Sequence, residues 1–133
     1  MKLEDLVGRP RAELHDLLQS GGPLDLDAMA ETRYLGLDLS LPPAVARYLW
    51  KTFRKTFHRD GEVLRGWNVR LEQRGIEGAQ APLTNRRGRA ITFGHYHVRS
   101  EGLRFPRWSG AHYLDYTVAG NRLLDLGRFG FRG

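Results

Sequence analysis

Two stretches of the chain alternate apolar and polar side chains residue by residue, and a repeat of two commits a segment to a strand with one buried face. In 63–73, Trp67, Val69 and Leu71 alternate with Asn68, Arg70 and Glu72; in 89–99, Ile91 and Phe93 continue on one side into His95 and His97. Residues 33–41 show the same pattern, with leucine at 35, 37, 39 and 41. Two more strands are expected over 112–118 and 122–131, joined at Gly120-Asn121, a two-residue hairpin signal. Because these strands do not alternate regularly with helices, the sheet should be antiparallel.

Two helices complete the expected fold. Pro10, leucines at 14, 17 and 18, and the stop at Gly21-Gly22 mark a short N-terminal helix over 10–19. A longer one is expected from Pro43 to His58, ended by Asp60-Gly61. It carries Ala46, Leu49, Trp50, Phe53 and Phe57 on one stripe and Arg47, Lys51, Arg54, Lys55 and His58 on the other. The fold class is therefore α+β: a curved antiparallel sheet of about five strands, extending to a partial barrel, with the amphipathic helix packed on it. All 133 residues are read as one domain, 1–22 forming a helical preface and 33–133 the sheet and helix. The last residues, Gly127 to Gly133, are strand-like and aromatic, as in a C-terminally incomplete fragment or a chain that pairs this strand in a homo-oligomer.

Composition narrows the chemistry. The absence of cysteine excludes disulfides, thiolate nucleophiles, iron–sulfur clusters and cysteine zinc sites. No window approaches the roughly 18 apolar residues of a membrane helix, and Met1-Lys-Leu-Glu-Asp lacks the order of a signal peptide, so a cytoplasmic protein without a transmembrane segment is expected. P-loop, dinucleotide-binding, Gly-x-Ser-x-Gly and His-Glu-x-x-His signatures are all missing. The net charge of +6 hides an asymmetry: residues 1–46 carry four basic and eight acidic groups, and 47–133 carry seventeen and seven. An anionic partner fits the second part.

Pairing 63–73 with 89–99 about the intervening loop sets Trp67 opposite His95. Carried across the later strands, the register gives three rows: Val69–Phe93–Val118–Leu123, Trp67–His95–Tyr116–Asp125 and Arg65–His97–Leu114–Gly127. Cross-strand neighbours on one face have Cβ atoms about 4.5–5.5 Å apart. The first row reads as a dry floor and the other two as a polar cleft, while Asn68, Arg70, Glu72, Thr92, Tyr113, Asp115 and Thr117 fall on the wet face. The expected function is to bind a small anionic or amphiphilic, partly apolar molecule between sheet and helix, without a cofactor. Trp67, Phe93 and Tyr116 would supply apolar contact, and Arg65, His95 and His97 would fix the polar end. Tyr116 between His95 and Asp125 could move a proton, which makes these three the catalytic candidates; whether the chain is an enzyme stays open.

Other readings remain. A basic module could bind nucleic acid or another polyanion weakly and without sequence preference, through Arg47, Lys51, Arg54, Lys55 and the loop residues Arg86, Arg87 and Arg89. A structural or interaction subunit would need no ligand. His95-Tyr-His97 puts two imidazoles on one side of a strand, with Glu101 and His112 further on as metal-ligand candidates. This His-x-His…Glu spacing resembles the first metal-binding motif of the cupins. Three residues rather than four separate His97 from Glu101, however, and too little chain follows His112 for the second half of such a barrel, so a bound metal is the minor reading.

Overall fold

A computed structural model of the chain describes residues 2–39, 51–100, 111–118 and 121. Its centre is a curved, half-barrel sheet of five antiparallel strands in sequence order: β1 (Arg33–Leu37), β2 (Thr52–Asp60), β3 (Val63–Arg70), β4 (Thr92–Arg99) and β5 (Tyr113–Asp115). Helices are few. The expected N-terminal helix is α1 (Arg11–Gln19), and a one-turn α2 (Leu26–Met29) precedes the sheet. Asp25 caps α2, its Oδ1 accepting from the N–H groups of Asp27 and Ala28 at 3.0 Å. No helix among the described residues is long and apolar enough to cross a membrane.

The amphipathic helix expected over 43–58 is not formed where the structure describes it: residues 52–60 are strand β2. The reason is an ambiguity of spacing. Phe53 and Phe57, four apart, share a face in a helix and equally in a strand, so the stripe fits both periods. Two threonines and two aromatic residues within 52–57 favour the strand. Asp60-Gly61 then closes a hairpin, with Asp60 opposite Val63 and φ +58 at Gly61, the first of two loop residues. Residues 43–50 and the expected strand 122–131 lie outside the described residues.

The core lies on the face of the sheet that carries Phe57, Leu64 and Tyr96. Leu26, Met29 and Ala30 pack against it from the segment before β1. The Phe57 and Tyr96 rings meet edge to face with centroids 5.5 Å apart, worth about 0.5–1.5 kcal/mol beyond the area they bury. Gly66, between them on β3, is needed for that contact: a Cβ there would collide with the Tyr96 hydroxyl and the Thr56 carbonyl. Tyr96 is fully buried, and its hydroxyl donates to the Thr56 carbonyl at 2.6 Å.

This placement corrects the expected division of faces. Asn68, read as wet, is 5% exposed and lies on the core face. Val69 and Leu71 are buried too, but on the opposite side, where the segment after β3 folds back. There the Leu83 N–H donates to the Arg70 carbonyl and the Glu72 N–H to the Ala81 carbonyl, both at 2.9 Å. Gln73 clamps the start of β2, its Oε1 accepting from the N–H groups of Lys51 and Thr52 at 2.9 and 3.0 Å while its Nε2 donates to the Thr52 carbonyl at 2.9 Å.

A bulge in β4 sets which residues meet. Arg65 pairs with His97 and Gly66 with Tyr96, as the sequence register has it, but Asn68 pairs with Phe93 and Val69 with Thr92. Gly94 and His95 therefore share the place opposite Trp67. Gly94 takes φ +53, which a residue without Cβ adopts at little cost. Asn121 satisfies the displaced backbone: the His95 N–H donates to its Oδ1 at 2.6 Å, and its Nδ2 donates to the carbonyls of His95 and Tyr116 at 2.8 and 2.9 Å. β5 is also one residue from the expected register, with His97 opposite Asp115.

These contacts give the bulge a measurable weight. At Gly61 a Cβ would meet nothing within 4 Å, so Gly61→Ala should cost only the left-handed backbone term, roughly 1 kcal/mol. At Gly94 a Cβ would lie 2.6 Å from Asn68 Nδ2, so Gly94→Ala should lower stability by about 2–3 kcal/mol in urea denaturation. Equal losses would remove the bulge's structural role.

Candidate functional site

The alternation of β2 turns Phe53, Lys55 and Phe57 onto the core face, where Lys55 lies between Tyr34 of β1 and Asn68 of β3. The Lys55 ammonium donates to the Tyr116 hydroxyl at 2.9 Å and to Asn68 Oδ1 at 3.4 Å. It also sits over the Tyr96 ring, 4.3 Å from the centroid, with the Tyr116 and Phe53 rings at 5.5 and 5.8 Å. Every one of these partners is neutral. Among the described residues no carboxylate forms an ion pair with Lys55, although Arg59, Arg65, Arg74 and Arg99 each have one.

Magnitudes show what that means. A cation–π contact contributes about 0.5–2 kcal/mol, whereas removing an ammonium from water costs several kcal/mol even after relaxation. Burial accordingly pushes the Lys55 pKa down to about 8. Burial raises the Tyr116 phenol, against a hydrogen bond with Asn68 that lowers it, and also raises Tyr96, helped by the charge of Tyr116. Lys55 is thus an amine poised between protonation states, facing phenols that hold their protons. Phe93 extends the aromatic wall, its ring 6.1 Å from Phe53. Phe53, Lys55, Phe93 and Tyr116 all keep partial exposure.

The opposite face holds the other part of the expected site. Trp67 lies beside His95, ring centroids 6.5 Å apart, and beside His58 at 6.3 Å. A cleft of about 340 Å³ borders it, lined by Arg65, Thr92, His95, His97 and Val118 among others. The two charge carriers expected there are weak. Arg65 is paired with Asp60 at 3.1 Å, and burial, aided by the charge of Arg99, lowers the His97 pKa against the pull of Asp115. His58 bonds Glu31, whose backbone takes φ +58 and whose Oε1 also accepts the Arg59 N–H at 2.9 Å.

The residues expected together are thus divided. Arg65, Trp67, His95 and His97 share one face; Phe93, displaced by the bulge, and Tyr116, displaced by the shifted β5, face Lys55 on the other. Asp125 lies outside the described residues, so of the proton-transfer trio only His95 and Tyr116 are placed, on opposite sides of the sheet. The continuous basic stripe does not form, because β2 sends Arg54 and Lys55 to opposite faces, and the Arg54 guanidinium bonds the Gln80 carbonyl at 3.0 Å. Lys51 is exposed, Arg86, Arg87 and Arg89 stand on an exposed turn organised by Asn85, and Arg47 is outside the described residues.

No group of three histidine, aspartate or glutamate side chains gathers at metal-binding distance among the described residues. His95 and His97 keep to one side of β4, His112 pairs with the Ser100 hydroxyl at 3.0 Å, and Glu101 is outside the described residues. A larger cavity of about 610 Å³ lies between the start of β2 and the 73–78 loop, but no phenol or imidazole lines it. Sequence reasoning missed Asn68, Tyr96, Phe53 and the setting of Lys55. The signal was present as Phe53-x-Lys55-x-Phe57, a strand alternation with one cation among aromatics. No protein-family model, curated protein or solved structure matches the chain.

One outcome tests this geometry. Burial alone would raise the Asp115 pKa, but hydrogen bonds from the Thr117 hydroxyl and N–H and from Arg99 overcome it and hold the carboxyl at about 2. A depressed folded-state pKa stabilises above the unfolded value near 3.8 and is lost as pH falls through the folded value. Asp115→Asn should therefore cost about 2 kcal/mol at pH 7, and the variant should lose less stability than the parent between pH 5 and 2.

Proposed function

We propose that the protein binds a small anionic, partly apolar molecule, a carboxylate on an apolar body, against the aromatic face around Lys55. The observation that carries this reading is the ammonium with only neutral partners among the described residues. A buried charge is ordinarily paired, and a ligand anion would complete Lys55 while its apolar part covered Phe53, Phe93 and Tyr116. The ligand then lies against the sheet rather than under a helix of residues 52–58, since these residues are part of strand β2. The Trp67 cleft is the weaker seat, its arginine already matched by Asp60. A cytoplasmic setting suits a cysteine-free chain of this kind.

Decanoate, followed by calorimetric titration, is a suitable probe. Loss of a charged hydrogen bond costs about 1.5–3 kcal/mol, so Lys55→Met should weaken binding by roughly 10- to 100-fold, while Arg65→Ala leaves it unchanged. Binding should also weaken as pH rises through about 8, where Lys55 gives up its proton. Sensitivity to Arg65 but not to Lys55 would move the ligand to the Trp67 cleft and overturn the proposal.

A further inference from the structure

We propose that Lys55 condenses with an aldehyde of the same apolar-bodied class to form an imine, with the Tyr116 phenol exchanging the protons of the reaction. This deepens the ligand reading above and rests on it: the face that seats an anionic amphiphile would seat the corresponding carbonyl compound.

The geometry carries the inference. A lysine becomes a nucleophile when it is held uncharged in an apolar setting. Three aromatic rings surround the Lys55 nitrogen, and no described carboxylate is paired with it to hold a proton on it. The Tyr116 oxygen is 2.9 Å from that nitrogen, within reach of a carbonyl oxygen attached to a carbon bonded there. Asn68 Oδ1, at 3.4 Å, is an acceptor that orients the amine without charging it.

The step balances without an oxidant or reductant. The Nζ lone pair forms a bond to the carbonyl carbon, the π pair moves to oxygen, and that oxygen takes the phenol proton while the nitrogen returns one to the phenolate. In the second half the phenol protonates the hydroxyl, the nitrogen lone pair forms the C=N bond as water leaves, and the remaining N–H proton returns to the phenolate. One aldehyde and one amine give one imine and one water. The depressed Lys55 pKa helps the first half, for at pH 7.5 a group titrating at about 8 is uncharged on the order of a hundred times more often than an ordinary lysine near 10.4.

The chain makes the test clean, because its only lysines are Lys2, Lys51 and Lys55, and the first two are exposed. The full chain is incubated with decanal and sodium cyanoborohydride at pH 7.5, and the reduced adducts are located by peptide mass spectrometry. Lys55 should carry at least about ten times the adduct of Lys51, Tyr116→Phe should slow its labelling by about tenfold or more, and the preference should vanish in urea. Lys55→Arg should remove the adduct without increasing labelling elsewhere. Adduct spread evenly over the three lysines, or confined to Lys2, Lys51 and the N-terminus, would overturn the condensation. Decanoate binding measured on the same protein separates the two readings: if it persists, only the covalent step falls, and if it is also absent, both fall.

Discussion

The bulge at Gly94 and His95 is the constraint on which the arrangement of side chains depends. Inserting one residue into a strand reverses the facing of everything beyond it. Here the reversal occurs in the middle of β4, between Phe93 and Tyr96, so both rings reach the core face although the two residues between them would put them on opposite faces of a regular strand. Gly94 supplies the backbone conformation, and Asn121 supplies the hydrogen bonds that the interrupted ladder no longer gives to His95. Because the same asparagine holds the Tyr116 carbonyl, the device that shapes β4 also fixes the residue whose phenol meets Lys55.

The two faces handle charge differently. On the Trp67 side the cations have partners: Arg65 with Asp60, Arg99 with Asp115, His58 with Glu31. The exposed pairs of His58 and Arg65 contribute little to stability, yet they leave small unsatisfied fields. On the aromatic side the described contacts of Lys55 are dipoles and ring faces alone. A cation kept there is costly, and the cost is an argument for chemistry rather than for folding.

How much could be read in advance follows from where the local signals were unambiguous. The period-two alternation located β3 and β4 and brought Trp67 and His95 to one side, because the register about the intervening loop holds as far as Gly66 and Tyr96. β2 is ambiguous in the sequence because phenylalanines four residues apart satisfy both periods, and Asp60-Gly61 ends a helix or turns a hairpin equally well. Phe93 and Tyr116 were misplaced by one residue each. A glycine inside a strand pattern signals a bulge, but only the structure shows that Gly94 uses that freedom. On the expected helix Lys55 falls on the basic stripe, and its burial follows only from the place of β2 between β1 and β3.

The strand order has a consequence for how the chain finds this arrangement. Each strand pairs with its neighbour in sequence, so the sheet can grow outward from one hairpin without threading a crossover. The two-residue loop at Gly61 gives β2 and β3 the least closure entropy to overcome, and such hairpins form in about 1–10 μs. That first hairpin already sets Lys55 opposite Asn68 and Phe57 opposite Gly66. If assembly starts from that hairpin, the amine is seated on half of its eventual surroundings before β4 brings Tyr96 to cover it, and order of assembly and order of burial run in the same direction.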